Sequence, residues 1–182
     1  MIAATGFADS AFAQNFYKSF IANGRWELYV SGLGRTLEVT VLALLLGVVL
    51  GVITALLRVA HDQRRPGQHS AGSVLLSICN AITRIYITVI RGTPVVVQIM
   101  IMFFVIFASS RNKVAIGCLS FGINSGAYVA EIIRGGIMSI DPGQNEAGRS
   151  LGFGYVATMR YVILPQAFKN VLPALANEFI VL

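Results

Sequence analysis

Charge is what this sequence has least of. Asp, Glu, Lys and Arg make up 12% of 182 residues while hydrophobic residues make up 55%, against roughly 25% charged in soluble domains. With a mean hydropathy of +0.72, there is too little polar surface to cover a soluble fold, and a small soluble enzyme is excluded. No G-x-x-x-x-G-K-[ST] occurs, so the chain is not expected to cradle nucleotide phosphates. The two cysteines, Cys79 and Cys118, form no disulfide framework or metal spacing, and His61 and His69 have no third ligand nearby. The net charge of +6 comes from basic residues scattered one to three at a time, not from a patch with interleaved aromatics, which argues against nucleic acid. Residues 1 to 30 lack a basic start followed by an unbroken apolar core, so no cleavable leader is expected.

What is present is a series of apolar runs. Thr36 to Leu57 holds 22 residues with one charge, Glu38, near its start. Roughly 20 apolar residues cross a hydrocarbon core, so 36–57 is expected to span a membrane. Gly47 and Gly51 inside it form a GxxxG that lets another helix approach. Ahead of it, Phe12, Phe16 and Phe20 share a helical face, with Trp26 and Tyr29 beyond, so 1–35 reads as an extracytoplasmic or interfacial segment. Residues 58–73 carry Arg58, Arg64, Arg65 and a Pro-Gly pair and read as an aqueous loop. From 74 to 90, Ser77, Asn80, Arg84 and Thr88 recur every three or four residues, the stripe of an interfacial or cavity-facing helix. Thr93-Pro94 reads as an N-cap and first turn opening a second span over 94–108.

A third span is expected over 114–140. Asn124, Tyr128 and Glu131 lie on one of its faces, where a carboxylate at depth meets protein or water; Glu131 can serve as interhelical glue, pair with Arg134 one turn away, or line a substrate path. A fourth span begins near 162, but the sequence stops at Leu182 inside an apolar run nine residues after Pro173. The expected fold is an all-α integral membrane protein, a multi-span helical bundle truncated in or near its fourth span. With the 58–73 loop inside, Arg58, Arg64, Arg65, Arg84, Arg91, Arg134, Arg149, Arg160 and Lys169 fall on the inner side. Only Lys18, Arg25, Arg35, Arg111 and Lys113 fall outside. This bias places the N-terminus outside and 141–160 in the cytoplasm.

The 141–160 segment is built to start, stop and restart a helix. Asp141 is an acidic N-cap, Pro142 suits the first helical position, and Gln144 at N3 can close a capping box. Gly152 can supply a left-handed stop, after which 154–161 forms a second short helix. Glu146-Ala147-Gly148, Gly152 and then Leu164-Pro165 resemble the EAA loop of importer-type ABC transporter permeases, with glycine at 148 where the third letter is usually alanine. Gly32-Leu33-Gly34-Arg35-Thr36-Leu37, Arg91-Gly92-Thr93-Pro94 with Gln98, Tyr128-Val129-Ala130-Glu131-Ile132 with Arg134-Gly135-Gly136-Ile137, and Leu172-Pro173 with Asn177 narrow the resemblance to the polar amino acid permeases, the histidine, glutamine, glutamate, arginine and opine group.

That resemblance implies a five-span subunit of a bacterial cytoplasmic membrane, without a cofactor of its own, that moves polar amino acids. Its implied partners are a cytoplasmic ABC ATPase dimer, a second permease subunit, an extracytoplasmic amino-acid-binding protein and membrane lipid. The implied ATPase-coupling residues are Gln144, Glu146, Ala147, Gly148, Gly152, Leu164 and Pro165. Asn124, Tyr128, Glu131 and Asn177 are substrate-pathway candidates. Two rival readings stand beside it. An ATP-independent secondary transporter or channel would show more charge at depth or inverted repeats. A hydrolase could use Ser150 in Gly148-Arg149-Ser150-Leu151-Gly152, but that elbow needs a preceding strand and a histidine base.

Overall fold

A computed structural model describes residues 11–63 and 71–182, and all regular structure among them is helical. The chain divides into two units, Met1–Glu38 and Val39–Leu182. In the first, α1 (Ala11–Phe16) continues through a π-helical turn, Tyr17–Ile21. The chain then reverses at Asn23 and Gly24, both with positive φ. The reversal stacks Phe20 on Tyr29 at 4.9 Å and lets the Tyr29 hydroxyl donate to the Ser19 carbonyl at 3.2 Å. Phe12, Phe16 and Phe20 do share one face, stacked in sequence and exposed.

Helix α2 (Trp26–Asp62) is 37 residues long, reaching ten residues before and five beyond the expected span. No proline interrupts Trp26 to His61, so hydrogen bonding propagates once the apolar run has nucleated it. In the second unit follow α3 (Ala71–Gly92), α4 (Val95–Ile101) with a π-helical turn Met102–Ile106, and α5 (Lys113–Met138). After these come α6 (Pro142–Ser150), α7 (Tyr155–Thr158) with a π-helical turn Met159–Ile163, and α8 (Leu164–Val181). Among the described residues, three helices are long and apolar enough to cross a membrane: Trp26–Asp62, Gly72–Gly92 and Lys113–Met138. The second covers the segment read as interfacial, and its stripe residues Ser77, Arg84 and Thr88 are exposed. The expected 58–73 loop is shorter, because α2 runs to Asp62 and α3 begins at Ala71; Arg64, Arg65 and His69 lie outside the described residues.

Burial is inverted relative to a soluble bundle. Along α2, Leu42, Leu45, Val49, Ile53 and Leu56 are exposed while Ala43, Gly47, Gly51, Ala55 and Val59 are buried. Large apolar side chains outside and small residues between helices are the pattern for association in lipid, where close backbone approach replaces the hydrophobic drive. The GxxxG makes that approach against α5. A Cβ on Gly47 would sit 2.8 Å from Ser125 Oγ, and one on Gly51 would overlap Val129 and lie 3.0 Å from the Ala130 nitrogen. Gly122 faces Leu46 and Gly126 faces Leu50 in the same seam. A second contact joins α3 to α5 through Ile87, Ala127 and Ala130, with the Tyr86 hydroxyl donating to the Ile123 carbonyl at 2.6 Å.

Candidate functional site: a helical knob and an interhelical cavity

The knob is 141–165. The Asp141 carboxylate accepts from the Gly143 amide at 2.6 Å and Pro142 takes the first helical position, satisfying donors that a helix start leaves open. The capping box does not close. Gln144, expected to reach back to residue 141, instead accepts from Gln166 Nε2 at 3.2 Å, because α8 packs near enough to offer an amide. At the other end Gly152 has φ +79°. Its amide donates to the Arg149 carbonyl and that of Phe153 to the Gly148 carbonyl, both at 3.0 Å, the paired bonds of a Schellman stop.

Gly148, the departure from the usual alanine, has a structural partner. It is buried, and a Cβ there would lie 2.6 Å from Thr158 Cγ2 and 2.7 Å from Thr158 Oγ1. The glycine therefore lets α7 lie against α6, with the Thr158 side chain occupying the alanine's place. Glu146, Ala147, Gly152, Leu164 and Pro165 are exposed, as are Leu151, Phe153 and Val156 around the turn. The base of the knob is fixed by a core of Val59, Ile137, Ile163 and Ala167, joining the ends of α2 and α5 to the start of α8. The Tyr155 hydroxyl donates to Gln63 Oε1 just beyond α2. Partial burial raises the pKa of that hydroxyl, so it remains a donor at neutral pH.

Between α2, α3 and α5, one carboxylate gathers three arginines. Glu131 pairs with Arg58 of α2, with Arg134 at 3.2 Å and with Arg91 of α3 at 3.9 Å. The local Glu131–Arg134 pair is present as expected. Arg58 corrects the loop reading, since its side chain is 15% exposed and folded onto α5. Arg91 stacks over the Tyr128 ring at 5.1 Å. Beside it lies a cavity of about 460 Å³ lined by Arg91, Gly92, Thr93, Pro94, Asn124, Tyr128 and Glu178, among others. Asn124 also donates to Gln98 Oε1 at 3.0 Å, and Gln98 Nε2 donates to the Ile90 carbonyl at 2.7 Å and to Thr93 Oγ1 at 2.6 Å. Gln98 thus holds the break between α3 and α4. Thr93 is not the N-cap: its hydroxyl donates back to the Val89 carbonyl, and Pro94 occupies the capping position with no side-chain cap.

Of the four pathway candidates, Asn124 and Tyr128 line this cavity; Glu131 lies in the arginine cluster, and Asn177, exposed on α8 next to Glu178, does not line it. Sequence reasoning missed Arg91 and Glu178 as lining residues. Their signal was present as charged residues bordering or inside apolar helices.

Inverted burial, a capped knob and a largely apolar cavity with a few polar groups are the features of a protein that packs in lipid and presents a helix to a partner. Residues 70–182 match the family described as binding-protein-dependent transport system inner membrane component. The chain belongs to that family. It is 39% identical over 158 residues to the arginine transport system permease protein ArtQ of Bacillus subtilis, covering 84% of this chain and 65% of the relative. It is 37% identical over 158 residues to the glutamine transport system permease protein GlnP of Escherichia coli K12, covering 85% and 66%. Among solved structures, the crystal structure of an amino acid ABC transporter with histidines shares 44% identity at a TM-score of 0.72, covering 86% of this chain and 67% of that one. The MetNI methionine ABC transporter, 23% identical at a TM-score of 0.66, shares the fold. This chain is thus a membrane-embedded member of a permease family, spanning 65–66% of the length of the two curated relatives named. The elbow-like Ser150 sits in α6, with its hydroxyl donating to the Glu146 carbonyl at 3.0 Å and a helix, not a strand, before it.

Proposed function

We propose that this chain forms the translocation pathway of an ATP-driven importer of polar amino acids in a bacterial cytoplasmic membrane. It crosses the membrane several times, with its N-terminal aromatic segment at the outer surface and the 141–165 knob in the cytoplasm. A dimer of ABC ATPases docks on the knob through the exposed Glu146, Ala147, Gly152, Leu164 and Pro165 and hydrolyses ATP, with Gly148 and Gln144 holding the shape of the knob from within against Thr158 and Gln166, while this chain carries no cofactor. A second permease subunit completes the pathway, and an external binding protein delivers the amino acid.

The observation that supports this most is the knob itself. Capped at Asp141, stopped at Gly152 and anchored by Ile163 and Ala167, it is stiff enough to carry a push while presenting an exposed face. A short helix with an exposed face can lie in a partner's groove. The cavity beside Arg91, Asn124, Tyr128 and Glu178 offers both signs of charge, which suits a zwitterion. A pathway through Asn124 and Tyr128 is part of the proposal, with Glu131 acting through Arg91 and Asn177 at the edge.

The test is co-purification of the full-length permease with its ATPase after Glu146→Lys and, separately, Gly152→Val. Loss of ATPase binding with the membrane fold intact supports docking at the knob. Retained binding and ATP-driven uptake in both variants overturn it.

A further inference from the structure

Polar contacts lead from the knob towards the cavity in a string whose middle link is the helix backbone of α2 from Gln63 to Arg58. Tyr155, in the second helix of the knob, donates to Gln63. Gln63 closes the last turn of α2 through its amide bond to the Val59 carbonyl at 3.0 Å. Arg58, just over a turn up the same helix, pairs with Glu131 of α5. Glu131 reaches Arg91 of α3 at 3.9 Å, and Arg91 lies over Tyr128 at the cavity wall.

We propose that Tyr155, Gln63, Arg58, Glu131 and Arg91 act as a relay that sets the position of the Arg91 guanidinium in the cavity according to the position of the knob. The inference rests on the transport function proposed above. The ends of the string differ in the way a relay requires. At the knob end, Val59, Ile137, Ile163 and Ala167 lock α2, α5 and the knob base into one packed block. In the middle, the Arg58 and Glu131 side chains are only 15% and 21% exposed, so breaking their pair strands charge where water screens poorly. At the cavity end Arg91 is 42% exposed and holds Glu131 at the longest distance of the three arginines. It is the cation that is freest to exchange Glu131 for a carboxylate in the cavity. It also borders the Gly92-Thr93-Pro94 break, where α3 ends. Moving the knob carries this packed block, with the Arg58–Glu131 pair, relative to α3, so Glu131 either holds Arg91 back or releases it. These are positioning residues, and coupling of this kind is measured as a departure from independence between sites.

The experiment uses the full-length permease with its ATPase and binding protein in proteoliposomes, reading amino acid imported per ATP hydrolysed for Tyr155→Phe, Arg58→Lys and their pair. Each single change is expected to lower that ratio by about three-fold or more, with the pair no worse than the more severe single, because both cut one string. Tyr155 is exposed and Arg58→Lys keeps the charge. If that variant fails to assemble, Gln63→Leu cuts the same string at an exposed residue. An unchanged ratio, or effects of the pair that multiply, overturn the relay. A wild-type complex with no ATP-dependent uptake overturns the underlying transport reading, and the relay with it.

Discussion

Replacing Gly148 with alanine sets two physical effects against each other within one short helix. By intrinsic propensity, alanine in a helix interior is favoured over glycine by about 1 kcal/mol. By packing, the new Cβ meets Thr158 Cγ2 at 2.6 Å and Oγ1 at 2.7 Å, with Thr158 Cβ at 3.2 Å behind them. Thr158 is 1% exposed, so either α7 moves off α6 or the threonine is forced from its place. Overpacking of this kind costs about 1–3 kcal/mol, so the net effect is a loss of about 1 kcal/mol. Amide hydrogen exchange over 142–163 reads this locally, as exchange about five-fold faster in Gly148→Ala than in wild type. Thr158→Ala should be near neutral alone. It gives up a methyl, worth about 1 kcal/mol, but removes a buried hydroxyl with no hydrogen-bond partner among the described residues. The pair Gly148→Ala with Thr158→Ala then regains the propensity gain and protects the knob better than wild type. Gly148→Ala slowing exchange on its own would refute the packing argument.

Three further outcomes are expected. At Gly152, with φ +79°, alanine should cost about 1–2 kcal/mol of knob stability and asparagine less, measured by the same exchange protection. In α2, Gly51→Leu should lower the melting temperature in detergent sharply, since its side chain would collide with Val129 and the Ala130 backbone, whereas Gly32→Ala, with open space around it, should be neutral or stabilising. Asp141→Ala, which removes the acceptor for the Gly143 amide, should cost about 1 kcal/mol, while Asp141→Ser retains most of the cap.

Much of this architecture is legible in the sequence, because bilayer thickness imposes a length on apolar runs. The 114–140 expectation and the observed Lys113–Met138 differ by two residues at most. Caps are similarly readable where they use neighbours in sequence: Asp141-Pro142 starts α6 and Gly152 stops it as their chemistry requires. What was not legible depended on distant partners. Arg58 looked solvated because it borders a polar stretch, yet its guanidinium finds Glu131, 73 residues away. Gln144 had a plausible local partner and took Gln166 instead. Gly148 looked like a weak point because propensity is local, while the reason for a glycine there lies across the turn in Thr158. In the cavity, one polar face of α5 was foreseeable, but the opposing wall comes from α3 and α8, whose packing the hydropathy pattern does not encode.

The central claim is that this chain provides an ATP-driven path for amino acids, powered through its knob by a partner. Proteoliposomes holding the full-length permease and its ATPase, with the binding protein and a labelled amino acid outside, test it directly. Uptake against a gradient that requires ATP, the binding protein and an intact ATPase is the predicted result. Uptake that continues with the ATPase disabled, driven by the amino acid's own gradient or an ion gradient, would contradict it.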